Sequence, residues 1–377
     1  MKTQKQETPD FDKKSQQIIN QWFTIRSLSR STQKTYIIYF KQFLQYNKTT
    51  PYKIYKKGYK EQKTQTPLQN RTLTQQILNY KYYIDNQDYT DATKYLKIKT
   101  IYSFCRAFKL ETPDIRIKRP VCENKNYEKP LTKKELLLLL NTSPLREKAF
   151  LSIQATSGMS SKEVRTLTIQ DIITTINREC DTHYNTINEI LQNKQHILSH
   201  KIFEFNIVRK KVNYRYITYI TDEAMENVLT YIQYRQNHDK KEIQPHNNIG
   251  TPIFVTNKGT PMTQKTVTAM YRIMGERVGF KTTPNTFRFW RSHNIRKYFY
   301  NLAEDIVGQE YADEWLGHVP STVTRAYARR EHRMREAYLK CYPYLTLNYN
   351  ESNKDNNIKQ KIKLLENEIE KLKQETN

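Results

Sequence analysis

The sequence has little glycine, proline or cysteine. Only 8 glycines and 13 prolines occur in 377 residues, so helical patterns run with few interruptions. The four cysteines lie far apart and none belongs to a CxxC pair, which argues against a zinc site and against a disulfide scaffold. They are Cys105, Cys122, Cys180 and Cys341.

Long hydrophobic runs are also missing. No apolar stretch approaches the roughly 18 residues that a membrane span needs. Residues 1–14 form a polar leader that lacks the apolar segment of a secretion signal. We therefore expect a soluble, reduced, intracellular protein.

Acidic residues are scarce relative to basic ones. The chain has 63 Lys and Arg against 38 Asp and Glu, a net charge of +25. Residues 351–377 hold six lysines and six acidic residues, so the whole excess belongs to residues 1–350. So large a positive field favours a polyanionic partner, above all nucleic acid. The alternative is a basic protein that its charge merely keeps soluble.

Helical periodicity dominates residues 16–110. Hydrophobic residues make up 37% of the chain, with 28 Tyr and 14 Phe, which is enough for packed cores. Apolar and aromatic residues recur at helical spacings, which predicts helices in this region. They are Ile18, Trp22 and Ile25, and later Tyr36, Tyr39, Phe40 and Phe43. Ser31 or Thr32 is the predicted N-cap of the second helix.

A change of pattern separates this region from the rest. Residues 116–130 are polar, carry two prolines and lack periodicity, which predicts an interdomain linker. Helix resumes after Thr132, which forms a capping box with Glu135. From Lys201 to Ile220 the period becomes two, which predicts a β-hairpin with the basic turn RKKVN. The expected fold is mainly α with a small β-hairpin.

The tail, residues 346–377, contains a short heptad pattern. Its apolar positions are spaced 4, 3, 4 and 3 residues apart, which predicts a short coiled coil. The alternative is an amphipathic helix that packs on its own catalytic domain. The positions are Ile358, Ile362, Leu365, Ile369 and Leu372.

Three short motifs follow one another between residues 293 and 327. His293 and Arg296 are three residues apart, so on a helix they share one face. A Leu-Gly-His box ends at His318, and Tyr327 comes nine residues later. In this order and spacing the motifs resemble the tyrosine recombinase family, the Xer-like and phage-type integrases of mobile elements.

The chemistry of such a site follows from its residue types. A tyrosine phenol, Tyr327, can take over a phosphoryl group and conserve the bond for rejoining. The guanidinium of Arg296 matches the charge that develops on the phosphate oxygens. His293 and His318 would donate hydrogen bonds to these oxygens or assist proton transfer. This scheme needs no metal and no cofactor.

The resemblance also implies partners and domains. Residues 15–115 would be a helical core-binding (SAM-like) domain and residues 131–345 a mixed α/β catalytic domain. Four protomers would pair two duplex DNA sites in a prokaryotic cytoplasm, at the nucleoid. A lysine on the hairpin turn would protonate the leaving 5′-oxygen. Lys211 is our choice, with Lys210 as the alternative, unless the turn is basic only to touch phosphate.

The first box of the family is where the sequence departs from the pattern. Ser160 occupies the position of the catalytic arginine. Arg165 and Arg146 are candidate substitutes, although five residues along a helix turn Arg165 to another face. The residues that do match the box are Gly158, Glu163, Leu167 and Asp171.

Three functions therefore stay open. The first is a site-specific recombinase that cleaves and rejoins DNA through a 3′-phosphotyrosine. The second is an accessory DNA-binding protein whose catalysis Ser160 impairs. The third is a type IB topoisomerase, which uses the same nucleophile but does not pair two sites.

Overall fold

Two compact units divide the chain between residues 124 and 125. Each has its own apolar core, as expected of domains of this size. The domain and linker boundaries inferred from the sequence stay predictions. The computed structural model describes residues 11–116, 129–209, 213–245, 250–282, 287–319 and 331–347.

The described part of the first unit is built from α-helices and a 3-10 turn at Leu68–Asn70. The second helix begins at Arg30, and Ser29 accepts the N–H of Thr32 at 3.3 Å. The prediction that Ser31 or Thr32 caps this helix is therefore wrong. The helices are α1 (Lys13–Ile25), α2 (Arg30–Tyr46), α3 (Pro51–Lys63), α4 (Thr72–Asp85) and α5 (Asp91–Ala107).

Aromatic side chains fill the core of the first unit. Trp22 is fully buried, with its ring centroid 5.1 Å from Phe40 and 5.5 Å from Phe104. Its indole N–H donates to Ser103 at 3.1 Å, which satisfies the one polar atom of the ring. The helices predicted from these spacings are confirmed, and Trp22, Phe40 and Phe43 are buried, whereas Ile25 is 55% exposed.

The described part of the second unit is also mainly helical, with one two-stranded sheet, which confirms the predicted fold class. The elements before the sheet are α6 (Lys133–Asn141), α7 (Leu145–Ser157), α8 (Ser161–Arg165), α9 (Ile169–Cys180), α10 (Ile187–Gln192) and α11 (Lys194–Ile197). The elements from the sheet onward are β1 (Ile202–Arg209), β2 (Tyr214–Thr221), α12 (Asp222–Gln236), α13 (Gln264–Arg277), α14 (Ser292–Val307), α15 (Gln309–Trp315) and α16 (Glu331–Leu345).

Helix α7 is the central element of this unit. All its residues from Ala149 to Ser157 are buried, and it packs against α12, α14 and β2. Helix α6 precedes it and begins with the predicted capping box, in which Thr132 and Glu135 satisfy each other's main-chain N–H groups.

The predicted β-hairpin is confirmed. Strands β1 and β2 pair antiparallel, with Ile202 opposite Thr221 and Arg209 opposite Tyr214. Residues 210–212, which include both candidate lysines, lie outside the described residues.

A separate apolar cluster holds the last helices together. Phe299 of α14, Trp315 of α15 and Tyr338 of α16 are all fully buried in it. The Tyr338 hydroxyl donates to the carbonyl of Thr156 at 2.6 Å, which ties α16 to α7. Tyr327 and the tail from residue 348 lie outside the described residues, so the heptad pattern stays a prediction.

Candidate active site

Arg296 connects three segments that are far apart in the sequence. One terminal nitrogen, Nη1, donates to the carbonyl of Gly158 at 2.5 Å, and the other, Nη2, donates to that of Leu316 at 2.6 Å. The residue is only 8% exposed. The guanidinium thus joins the first box, the HxxR helix and the Leu-Gly-His box.

A sharp turn places the first box beside Arg296. Gly158 ends α7 with a φ of 66°, where L side chains are strained. A Cβ there would also lie 2.4 Å from the ring of Phe299. Space and backbone conformation both require glycine at this turn.

Ser160 is the N-cap residue of the next helix, α8. Its hydroxyl accepts the N–H of Glu163 at 3.3 Å, and the Glu163 carboxylate accepts the N–H of Ser160 at 2.6 Å. The same carboxylate lies 3.6 Å from Arg296 Nη1. Burial lowers the pKa of Arg296, and the charge of Glu163 opposes that shift.

The Leu-Gly-His loop is fixed by main-chain and side-chain contacts. Gly317 has a φ of 59°, and a Cβ there would lie 2.5 Å from the ring of Tyr216. The His318 ring nitrogen Nδ1 lies 2.6 Å from an Asp313 carboxylate oxygen. This contact orients the imidazole, so that Nε2 can hydrogen-bond to a phosphate oxygen or take part in proton transfer.

The hairpin contacts the same loop at its open end. Arg209, the last residue of β1, donates to the carbonyl of Gly317 at 2.7 Å. The Tyr214 hydroxyl donates to Glu314 at 2.8 Å. Burial raises the pKa of Glu314, and the hydrogen bond from Tyr214 lowers it. The strand that leads to the candidate lysines is therefore attached to the loop that carries His318.

A cleft of about 440 Å³ opens beside these residues. Ser160, His293 and Arg296 line it, so the structure brings these three predicted positions together. The cleft is strongly basic, because three further arginines share its wall. They are Arg272, Arg288 and Arg291.

The two candidate substitutes for the missing arginine do not line this cleft. Arg165 is the last residue of the short helix α8, and its side chain bonds to the carbonyl of Met262 at 3.4 Å. Arg146 donates to Val255 at 3.2 Å and to Asn257 at 3.0 Å. Both guanidinium groups are thus engaged with other loops.

Tyr327, Lys210 and Lys211 lie outside the described residues. Within the described residues, no group of three or more His, Cys, Asp or Glu side chains is arranged to hold a metal ion. None of the described helices is both long and apolar enough to cross a membrane.

Sequence patterns missed several contacts of the site. The bond from Arg209 and the pair of Tyr214 with Glu314 join residues about a hundred positions apart, which no local pattern reveals. Asp313 precedes His318 by five residues, and Arg291 precedes His293 by two. Their closeness in sequence to the motif histidines was the only available signal.

Comparison with known proteins finds one family and several structures of similar fold. The model of the phage integrase family matches residues 129–334. A lambda integrase tetramer bound to a Holliday junction shares 14% identity and a TM-score of 0.52, over 81% of this chain and 78% of that one. The Tn1549 transposon integrase in complex with circular intermediate DNA shares 13% identity and a TM-score of 0.51, over 87% and 99%.

A third structure is similar to the same extent. XerH site-specific recombinase bound to palindromic difH substrate shares 16% identity and a TM-score of 0.50, over 86% of this chain and 83% of that one. At these identities the likeness is one of fold. No curated protein matches the chain in sequence.

Proposed function

The chain belongs to the phage integrase family, and we propose that it is a recombinase that cleaves and rejoins duplex DNA through Tyr327. The phenolic oxygen of Tyr327 attacks the scissile phosphate and forms a 3′-phosphotyrosine, and the leaving strand ends in a 5′-hydroxyl. Attack of a 5′-hydroxyl from another strand on this intermediate then restores a phosphodiester and releases the tyrosine. The phosphate bond is conserved, so no external energy source is needed.

One observation carries this proposal: Arg296 joins the three motif boxes at one basic cleft. A guanidinium has five N–H donors, and the two carbonyls engage one on each terminal nitrogen. The remaining donors are available to the phosphate oxygens in the transition state. The carbonyl contacts hold the guanidinium in place before the substrate binds, which is what electrostatic stabilisation requires.

The other motif residues have complementary roles in the proposal. His293 lines the same cleft, from which it can donate to a phosphate oxygen. His318, held by Asp313, assists the removal of the Tyr327 proton. Lys211, or Lys210 in its place, protonates the leaving 5′-oxygen from the turn that follows Arg209.

We further propose that four protomers act on two duplex sites. The net charge of +25 provides the attraction for the phosphate backbone. The similar structures are DNA complexes, and the lambda integrase one is a tetramer on a Holliday junction. The likeness in fold supports, for this chain, the same kind of partner and assembly.

A second candidate function rests on Ser160. The hydroxyl of Ser160 caps α8, and neither Arg165 nor Arg146 lines the cleft. Loss of one transition-state donor typically costs about 10²–10³ in rate. A chain that binds DNA but cleaves it poorly would serve as an accessory DNA-binding protein.

A trapping experiment distinguishes the two candidates. Duplexes that the full chain binds are selected from a random-sequence library and then nicked at successive positions. A nick lets the short cleaved strand diffuse away, so a covalent protein–DNA adduct accumulates on a denaturing gel. We expect an adduct with the wild type and none with Tyr327→Phe.

The Ser160→Arg variant runs in parallel. Tight binding without an adduct in the wild type contradicts the recombinase proposal. If Ser160→Arg then forms the adduct, the natural protein is the accessory DNA-binding protein of the second candidate.

A further inference from the structure

Arg296 itself adds little net positive charge to the cleft, because an acidic side chain lies beside it. Glu163 lies 3.6 Å from the guanidinium, and both side chains are about nine-tenths buried. Arg296 counts +1 and Glu163 counts −1, so this buried pair is neutral. An arginine at position 160 would have made it positive, whereas Ser160 adds no charge. The phosphate therefore needs a cation from another element.

The turn before α14 carries two arginines toward this cleft. Trp290 in the middle of the turn is 1% exposed and packs so closely on α13 that a Cβ at Gly275 would lie 2.0 Å from its Nε1. The ring of Phe280 lies 5.4 Å from Trp290 and completes this anchor. The anchored tryptophan fixes the turn, and the arginines on either side of it, Arg288 and Arg291, both line the cleft.

Arg291 is the better organised of the two. Its Cζ atom lies 4.1 Å from the centroid of the Phe287 ring, and its Nε atom is fully buried. Stacking on an aromatic face holds a guanidinium in one orientation. Its main chain is fixed as well, because Arg291 is the N-cap residue of α14, two positions before His293.

We propose that Arg291 supplies the guanidinium that Ser160 lacks, so that Arg291 and Arg296 together neutralise the scissile phosphate. This inference rests on the proposed strand cleavage at Tyr327. Arg272 also lines the cleft but pairs with Glu276 at 2.6 Å on the exposed face of α13. Arg209 bonds to the carbonyl of Gly317 and does not line the cleft.

The test uses the adduct assay with single and double variants of the full chain. We expect Arg291→Ala to slow adduct formation about 10²–10³-fold, the usual cost of one lost donor. Adding Ser160→Arg to Arg291→Ala should restore most of the rate, because the new side chain can reach into the cleft beside residue 160. Ser160→Arg alone should change the wild-type rate by less than about tenfold.

A modified substrate separates charge neutralisation from a structural role. A methylphosphonate at the scissile position replaces one charged oxygen by a methyl group, so a cation at that oxygen is no longer needed. The loss of rate caused by Arg291→Ala should be at least about tenfold smaller on this DNA. The missing guanidinium would have neutralised the charge of an oxygen that this substrate no longer has. A variant that is merely misfolded keeps its full deficit on both substrates.

Two further arginine variants serve as comparisons. Arg277→Ala removes an exposed arginine that bonds to the carbonyl of Thr142 outside the cleft, and should keep the wild-type rate. Arg288→Ala should cost less than Arg291→Ala and should gain nothing from Ser160→Arg.

Failure of the role assigned to Arg291 can be distinguished from failure of the proposed recombinase function. A wild-type adduct that Arg291→Ala leaves unchanged overturns the role of Arg291 and keeps the recombinase. Rescue of Arg288→Ala by Ser160→Arg, in place of Arg291→Ala, also overturns the assignment. Absence of an adduct from the wild type on every selected duplex contradicts the proposed function itself.

Discussion

At the scale of single residues, the site is defined as much by glycines as by charged groups. Gly158 and Gly317 both adopt positive φ, and at each a Cβ would overlap an aromatic ring. Because these two turns are so tight, the carbonyls of Gly158 and Leu316 reach the guanidinium of Arg296. In this chain the two glycines are therefore needed for the geometry of the site, whereas Arg296 supplies its charge.

The general acid can be identified by changing the leaving group. Lys211→Ala should slow cleavage of ordinary DNA about 10²–10⁴-fold, the usual contribution of a positioned acid. A 5′-bridging sulfur leaves as a thiolate and needs no proton, so the same variant should cleave that DNA almost as fast as the wild type. Adduct formation on the two substrates is the measurement.

The neighbouring lysine is the matched control for this experiment. Lys210→Ala should lose binding affinity but show the same small deficit on both substrates. If Lys210→Ala is the variant that sulfur rescues, the roles of the two lysines are exchanged. If sulfur rescues neither, the turn only contacts phosphate.

At the scale of elements, the hairpin and the Leu-Gly-His loop are joined by a half-buried polar pair. The Tyr214 hydroxyl lies 2.8 and 3.1 Å from the two oxygens of Glu314. Tyr214→Phe leaves the carboxylate without this donor, and we expect a loss of about 1–3 kcal/mol in the free energy of unfolding. Urea denaturation measures it, with Tyr82→Phe on an exposed tyrosine as the control.

The same pair predicts a pH dependence. Burial raises the pKa of Glu314, and the hydrogen bond from Tyr214 offsets part of that rise, so the stabilisation by this bond is present when Glu314 is ionised. It is lost as the pH falls through that pKa. The difference between wild type and Tyr214→Phe should therefore be larger at about pH 8 than at about pH 5. An equal difference at both would show that the bond does not depend on the carboxylate charge.

Sequence patterns predicted the elements better than their contacts. The period-two runs gave the hairpin, and a three-residue spacing put His293 and Arg296 on one helix. The N-cap of α2 was predicted wrongly because Ser29, Ser31 and Thr32 are all suitable capping residues, and the sequence does not show which of them accepts the main-chain hydrogen bond. The bond between Arg209 and Gly317 depends on how hairpin and loop pack, which periodicity cannot encode.

At the scale of the whole molecule, the distribution of charge predicts how DNA binding responds to salt. A protein that neutralises phosphates releases counterions, so its affinity falls steeply as salt rises. Residues 351–377 are neutral, which leaves the entire charge of +25 to the rest of the chain. Removing them should therefore leave the affinity for a single duplex site and its salt dependence unchanged.

Fluorescence anisotropy between about 50 and 200 mM salt measures both quantities for the full and the truncated chain. A shallower slope after truncation would mean that the tail lysines contact phosphate, which the neutral charge of the tail does not predict.

The full and the truncated chain also distinguish the two roles predicted for the heptad pattern of the tail. If the tail pairs with other protomers, truncation abolishes complexes that hold two duplexes and leaves the unfolding midpoint of the free protein unchanged. If it packs on its own catalytic domain, the midpoint falls while two-duplex complexes still form, because the net positive charge and the cleft belong to residues that the truncation leaves intact.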